Sequence, residues 1–231
     1  MNTVVGAAPA QASSDIVRAV RWPLIPTGFI LAYASGAIAA MLIRALGWWP
    51  GAGWEHAMLH AAQRTVNPLL DRIMLTLPIF GTNYSLGPIV AIVAVVLWRR
   101  RLTALALHLA IVQAGSWLLN PALKFTFPRD RPTLYEQRGQ HAFPAFPSGH
   151  AIAVVSVMFT AALLLYKYKG QTWGLWAAGA FFLLNSYSRV YLSVHWPTDV
   201  IVGTVVGLVW MLFCWVALQR AHQRQRQKQV Q

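Results

Sequence analysis

Three short polar groups interrupt a mostly apolar chain, and their residue types suit phosphoryl chemistry. The first holds Lys124, Arg131 and Pro132, the second runs Pro147-Ser148-Gly149-His150, and the third runs from Ser188-Arg189 through His195 to Asp199. A phosphoryl group carries about two negative charges and spreads more over its equatorial oxygens in the transition state, so catalysis rests on positioning and charge stabilisation. Lys124, Arg131 and Arg189 supply cations for that task. Arginine's planar fork grips two phosphate oxygens at once, whereas lysine contributes a point charge. Any one of these residues alone reads as a loop cation that touches lipid headgroups. Their recurrence with two histidines at the same ends of apolar spans points instead to a pocket.

His195 and Asp199 lie four residues apart across Trp196-Pro197-Thr198. Proline is favoured as the first residue of a helix, so Pro197 predicts a helix start with His195 just before it and Asp199 in its first turn. From there the carboxylate can hold one imidazole nitrogen, fix the tautomer and free the other nitrogen for attack. It also complements the helix dipole. Ser148 is predicted to be the N-cap of another apolar helix, whose free first-turn N–H groups make an anion site, with Gly149 allowing close backbone approach. His150 on that turn is then placed as an acid beside the phosphate.

The elements that carry these groups are hydrophobic. Of 231 residues, 57% are hydrophobic, 6 are acidic and 19 basic, and mean hydropathy is +0.47. That balance excludes an ordinary soluble domain and predicts a polytopic all-α membrane protein. The net charge of +13 sits in short clusters between spans, which reads as topology signals and a small anionic substrate rather than nucleic acid. Apolar runs at 24–46, 84–98, 102–123, 148–166, 173–191 and 197–218 predict six transmembrane helices in one domain, 24–218. The second run is short unless Leu75–Phe80 extends it. The Trp-, Gly- and Pro-rich stretch between the first and second spans, with Trp48, Trp49 and Trp54, predicts an interfacial helical segment. Residues 1–23 and 219–231 read as tails, the former loose and the latter a basic, disordered or frayed helical end near anionic lipid headgroups.

Basic clusters at Arg18 and Arg21, at 99–101, at Lys167 and Lys169, and at Arg220, Arg224, Arg226 and Lys228 fall on one side of a six-span arrangement. By the positive-inside rule that side, with both termini, is cytoplasmic. Lys124, Arg129, Arg131, Arg138 and Arg189 then sit on the outer face, periplasmic in a Gram-negative cell, where anion binding is the simplest reason for them. Asp130 reads as an ion-pair partner of its arginine neighbours. The segment from Glu136 to Phe146, with Gln137, Arg138, His141 and Phe143, is placed by position alone at the pocket edge as a headgroup selector.

Several absences narrow the chemistry. No P-loop, no paired carboxylates and no His/Cys set with metal spacing occur, so neither a metal nor a cofactor is expected. His56 and His60 lack a third ligand and read as an interfacial pair. His108, mid-span with Gln113, Ser116 and Asn120, reads as an interhelical hydrogen-bonding group. Cys214 lies in an apolar run and reads as space-filling.

Lys124-x6-Arg131-Pro132, Pro147-Ser148-Gly149-His150 and Ser188-Arg189-x5-His195-x3-Asp199 together resemble the signature of the type 2 phosphatidic acid phosphatase (PAP2) superfamily, without departure in the signature residues. The resemblance implies a bacterial integral-membrane lipid phosphatase that works without metal. It implies His195 as the nucleophile that forms a phosphohistidine, Asp199 as its orienting carboxylate and His150 as the acid that protonates the leaving oxygen. Lys124, Arg131, Ser148, Gly149 and Arg189 are implied as the phosphate-binding set. The expected substrate is a membrane lipid: undecaprenyl pyrophosphate, phosphatidic acid or phosphatidylglycerophosphate. A phosphotransferase that passes the group to a lipid acceptor, and a non-catalytic lipid carrier or scaffold, are the alternatives.

Overall fold

A computed structural model describes residues 9–139 and 143–230. Every regular element among them is helical. In chain order these are α1 (Pro9–Arg18), α2 (Leu24–Ala45), α3 (Gly53–Gln63), α4 (Pro68–Thr76), a 3-10 turn (Leu77–Gly81), α5 (Asn83–Arg99), α6 (Thr103–Thr126), α7 (Gly149–Lys169), α8 (Trp173–Tyr191) and α9 (Pro197–Val230). The protein is a multi-pass membrane protein. Four helices are long and apolar enough to cross a bilayer: α2 with 22 residues, α6 with 24, α7 with 21 and α9 over Pro197–Lys228 with 32. The segments Pro68–Gly81 and Asn83–Arg99 make a fifth if read as one span bent by 49°. The extension of the short second span from Leu75–Phe80 is therefore present, as a bend rather than a straight helix. The fifth of the six expected spans, 173–191, forms as α8 but is not among these candidates, because Trp173, Trp176, Asn185, Ser186, Ser188 and Arg189 lower its hydropathy. Ile30, Ile38, Met41, Ile92, Trp176, Leu183 and Leu212 point outward, as side chains facing hydrocarbon must.

Both segments expected as tails contain helix. The described part of the first, from Pro9, contains α1, where Ile16 is buried, as are Ala19 and Val20 just beyond it; residues 1–8 and 231 lie outside the described residues. At the other end α9 runs unbroken past Leu218, and Ala221, His222 and Gln225 are buried, with Gln225 Oε1 accepting the backbone N–H of Ala104 at 2.7 Å. A run of Gln and basic residues is a good helix former, and here its inner face has a partner.

The core is the α9 rod with α2, α6 and α7 around it. Gly203 and Gly207 lie four apart on α9 and let it settle against α7: a Cβ at Gly203 would stand 2.5 Å from the Ser148 carbonyl oxygen, and one at Gly207 3.0 Å from that of Ile152. Small residues at this spacing allow close helix approach within a membrane. The close approach brings the first turns of α7 and α9 side by side. Interhelical hydrogen bonds do join the polar mid-span groups. His108 Nδ1 lies 2.8 Å from His222 Nε2, and Ser116 Oγ donates to Asn83 Oδ1 at 3.0 Å. Cys214 is a free, fully buried thiol.

Candidate active site

Three chain segments end at one cavity of about 430 Å³, lined by Lys124, Arg131, Gly149, His150 and His195 together with Asn120. Lys124 lies in the last turn of α6, Arg131 in the connection after it, His150 in the first turn of α7 and His195 in the turn before α9. Ser148, Arg189 and Asp199 are buried immediately behind this lining. The α8–α9 turn is closed by Arg189: its carbonyl oxygen accepts the N–H groups of Val194 at 3.1 Å and His195 at 3.2 Å. Ser193 takes φ +58 within that turn. Arg189 and His195 are thereby held on one rigid corner.

Asp199 occupies the third position of α9 and reaches back, as its spacing predicts. Its Oδ2 accepts the Trp196 N–H at 2.9 Å and stands 3.4 Å from His195 Nδ1. His195 itself lines the cavity. Across the cavity, His150 Nε2 lies 3.4 Å from Arg189 Nη1, and Arg189 Nε donates to Ser188 Oγ at 3.1 Å. Lys124 Nζ donates to the carbonyl oxygens of Pro144 at 2.5 Å and Ala145 at 3.2 Å. Arg131 donates to the Phe143 carbonyl at 2.9 and 3.2 Å and to that of Val194. Backbone carbonyls thus aim both cations. Burial pushes the Arg131 guanidinium down to about 10, partly offset by the Asp199 carboxylate, which leaves it charged at neutral pH.

Other expectations are revised. Ser148 does precede the first turn of α7, but its hydroxyl makes no capping bond, and its buried Oγ has no hydrogen-bond partner among the described residues. The close approach at Gly149 is to Asn120, whose side chain would lie 2.7 Å from an added Cβ. Asn120 therefore belongs to the cavity wall rather than to the His108 group; its Oδ1 is likewise buried without such a partner. Arg129 and Arg138 bind anions, but internal ones. Arg138 pairs with Asp71 at 2.5 Å, while Arg129 pairs with Asp199 at 2.7 Å and Glu55 at 3.1 Å. Asp130 makes no ion pair among the described residues; only its carbonyl is used, by Trp196 Nε1 at 2.9 Å. Of the segment proposed as a headgroup selector, Phe143 lines the cavity, Phe146 is fully buried and His141 lies outside the described residues. His56 packs on Trp196 and His60 meets the Tyr135 hydroxyl. No group of three metal-ligating side chains occurs among the described residues.

Sequence reasoning missed Glu55, and misread Asn120 and Arg129. An acidic residue in a chain with so few was the available signal for Glu55.

A family model described as PAP2 superfamily matches residues 88–223, more than half of the chain and all three polar groups. The chain belongs to the PAP2 superfamily. Phosphatidylglycerophosphatase B of Bacillus subtilis (strain 168) is 31% identical over 160 residues, which are 67% of this chain and 78% of that protein. YbjG of Escherichia coli (strain K12), provisionally named an undecaprenyl-diphosphatase, is 34% identical over 146 residues, 59% of this chain and 69% of its own. Among solved structures, that of a transmembrane PAP2-type phosphatidylglycerolphosphate phosphatase from Bacillus subtilis superimposes with a TM-score of 0.69 at 27% identity, covering 80% of this chain and 93% of that one. This PAP2 protein is accordingly a lipid phosphatase, and its fold is that of the membrane enzymes of the superfamily.

Proposed function

We propose that this PAP2 protein hydrolyses a membrane lipid phosphate or pyrophosphate through a phosphohistidine on His195, without metal, at the outer face of the membrane. The observation that carries the reading is the placement of His195 and His150 on one cation-lined cavity, with Asp199 behind His195. An imidazole backed by a carboxylate is poised to attack, and one beside Arg189 on the same cavity is placed to give the leaving oxygen its proton. In the first step His195 Nε2 forms a bond to phosphorus as the bond to the leaving oxygen breaks, and His150 gives that oxygen its proton. In the second, water attacks phosphorus, loses a proton to His150 and displaces His195. Lys124, Arg131 and Arg189, with the Ser148 hydroxyl and the Gly149 backbone, hold the phosphoryl oxygens while charge builds on them.

The lipid assignment draws on a second feature. Asn83, Tyr84 and Trp117 line both the cavity and an adjoining groove of about 470 Å³ between α5 and α6 whose other walls are almost wholly apolar, including Pro88, Val90 and Ala91. A phosphate in the cavity and a tail in the groove make one continuous ligand. Undecaprenyl pyrophosphate is placed first among substrates, with phosphatidic acid or phosphatidylglycerophosphate after it; similarity to enzymes named for undecaprenyl diphosphate and for phosphatidylglycerophosphate supports both of these as candidates. The test is phosphate release from undecaprenyl pyrophosphate in detergent micelles containing EDTA, with His195→Ala as the control. Release by the wild type alone is expected. Release by both proteins, or loss of release on adding EDTA, would overturn the mechanism, and transfer of phosphate to a lipid acceptor would make the protein a phosphotransferase.

A further inference from the structure

Arg129 lies between Lys124 and Arg131 in sequence but is turned away from the cavity and is 1% exposed. Its five N–H donors all find acceptors. Nε donates to the Trp49 carbonyl at 2.9 Å; Nη1 to Asp199 Oδ1 at 2.7 Å and Thr198 Oγ1 at 2.7 Å; Nη2 to the Trp48 carbonyl at 2.8 Å and Glu55 Oε2 at 3.1 Å. Glu55 is as fully used. Its Oε1 accepts the Thr198 hydroxyl at 2.6 Å and the Thr198 N–H at 3.1 Å, and its Oε2 accepts the Ala52 N–H at 2.9 Å. One guanidinium and one carboxylate thus tie the start of α3 and the Trp48–Trp49 backbone to the first turn of α9.

We infer that Arg129, supported by Glu55, is a positioning residue for His195, acting through Asp199. The inference rests on the reading of His195 as the nucleophile. Its reason is the division of labour on the Asp199 carboxylate. Oδ1 faces Arg129, whereas Oδ2 faces the Trp196 N–H and His195 Nδ1. Two partners on fixed backbones leave the carboxylate one rotamer, and that rotamer aims one oxygen at one imidazole nitrogen. Asp199 and Glu55 are both dry, with no exposed side-chain surface, and burying two carboxylates side by side is costly unless a cation is paired with both. Arg129 is that cation. Lysine replaces it only in part, because a single ammonium keeps the charge but lacks the fork that reaches both carboxylates and both tryptophan carbonyls together.

The test is a double-mutant cycle of Arg129→Gln with Asp199→Asn, read by kcat and KM for phosphate release and by the 15N imidazole spectrum of His195 in micelles, assigned by comparison with His195→Gln. Arg129→Gln is expected to lower kcat about 100-fold, the scale of a small misplacement of a reacting group, with KM little changed. It is expected to add little loss in the Asp199→Asn background, and to turn the single His195 tautomer of the wild type into a mixture. Equal losses in both backgrounds, a loss carried by KM, or an unchanged tautomer would overturn the inference. If Arg129→Gln does not fold, Arg129→Lys carries the same cycle and the same expectations at reduced size. The tautomer is read without turnover, so a wild type that releases no phosphate but shows an Arg129-dependent tautomer would count against the phosphatase mechanism and still support the positioning role.

Discussion

The backbone N–H of Ser148 donates to the carbonyl oxygen of Asp199 at 2.9 Å. This one bond joins the residue before α7 to the first turn of α9, and so fixes the two histidine-bearing helix starts to each other. It forms only because Gly203, one turn along α9, presents no side chain to the Ser148 carbonyl.

Gly203→Val is therefore expected to separate the two helix starts. A new side chain would stand against a backbone oxygen that has no room to move, and overpacking of this kind costs about 1–3 kcal/mol. The thermal midpoint in detergent should fall and phosphate release should fall further. Gly179→Val, at a position with no neighbouring atom within 4 Å, is the matched control and should retain both. Equal behaviour of the two variants would refute the packing argument.

The two histidines are expected to separate by leaving group. General acid catalysis contributes about 10²–10⁴-fold, and most where the leaving oxygen is basic. His150→Ala should lose activity by that amount on a lipid phosphate but much less on an aryl phosphate whose phenolate leaves unaided. His195→Ala should be inactive on both. The same rate ratio for both substrates in His150→Ala would remove it from the acid role.

Activity is expected to rise and then fall with pH, because His195 must be neutral to attack and His150 protonated to donate. Arg131 sets a further limit. Its guanidinium, pushed down to about 10 by burial, carries charge below that value and loses it above, so KM should hold steady through neutral pH and rise as pH approaches 10. A kcat profile that is flat between about pH 4 and about pH 9 with chemistry rate-limiting would contradict the histidine roles.

Removing a phosphate-binding cation should weaken the transition state more than the ground state. Loss of one such donor typically costs about 10²–10³-fold in kcat, and Lys124→Ala and Arg131→Ala are each expected in that range. Vanadate, which adopts a five-coordinate geometry like that of the reacting phosphorus, should inhibit the wild type and bind these variants less tightly. Unchanged vanadate affinity in Arg131→Ala would place that arginine outside the phosphate site.

Much of the molecule was legible in one dimension because two signals are local. Hydropathy places the start of every long helix to within a few residues, since a chain segment in hydrocarbon must satisfy its own backbone, although α9 runs on past the expected Leu218 to Val230. The pair His195 and Asp199 is readable because both lie across one helix start, and the proline between them sets that start. Arg189 with His195 is readable for the same reason, as they share one turn. Arg129 was misread because nothing local separates it from Arg131, two residues on, yet one points into the core and the other to the cavity. Asn120 was assigned to a polar stripe along α6, and only the packing of α7 against that helix shows that it faces Gly149.

The sequence by itself determined the helical membrane architecture, the three polar groups and the chemistry their side chains can perform, because these follow from residue type and short-range spacing. The tertiary structure alone decided which cations line the cavity and which pair with buried carboxylates. Glu55, Arg129 and Asp199 come from segments far apart in the chain, and charge in a dry interior is governed by distance through space rather than by distance along the backbone.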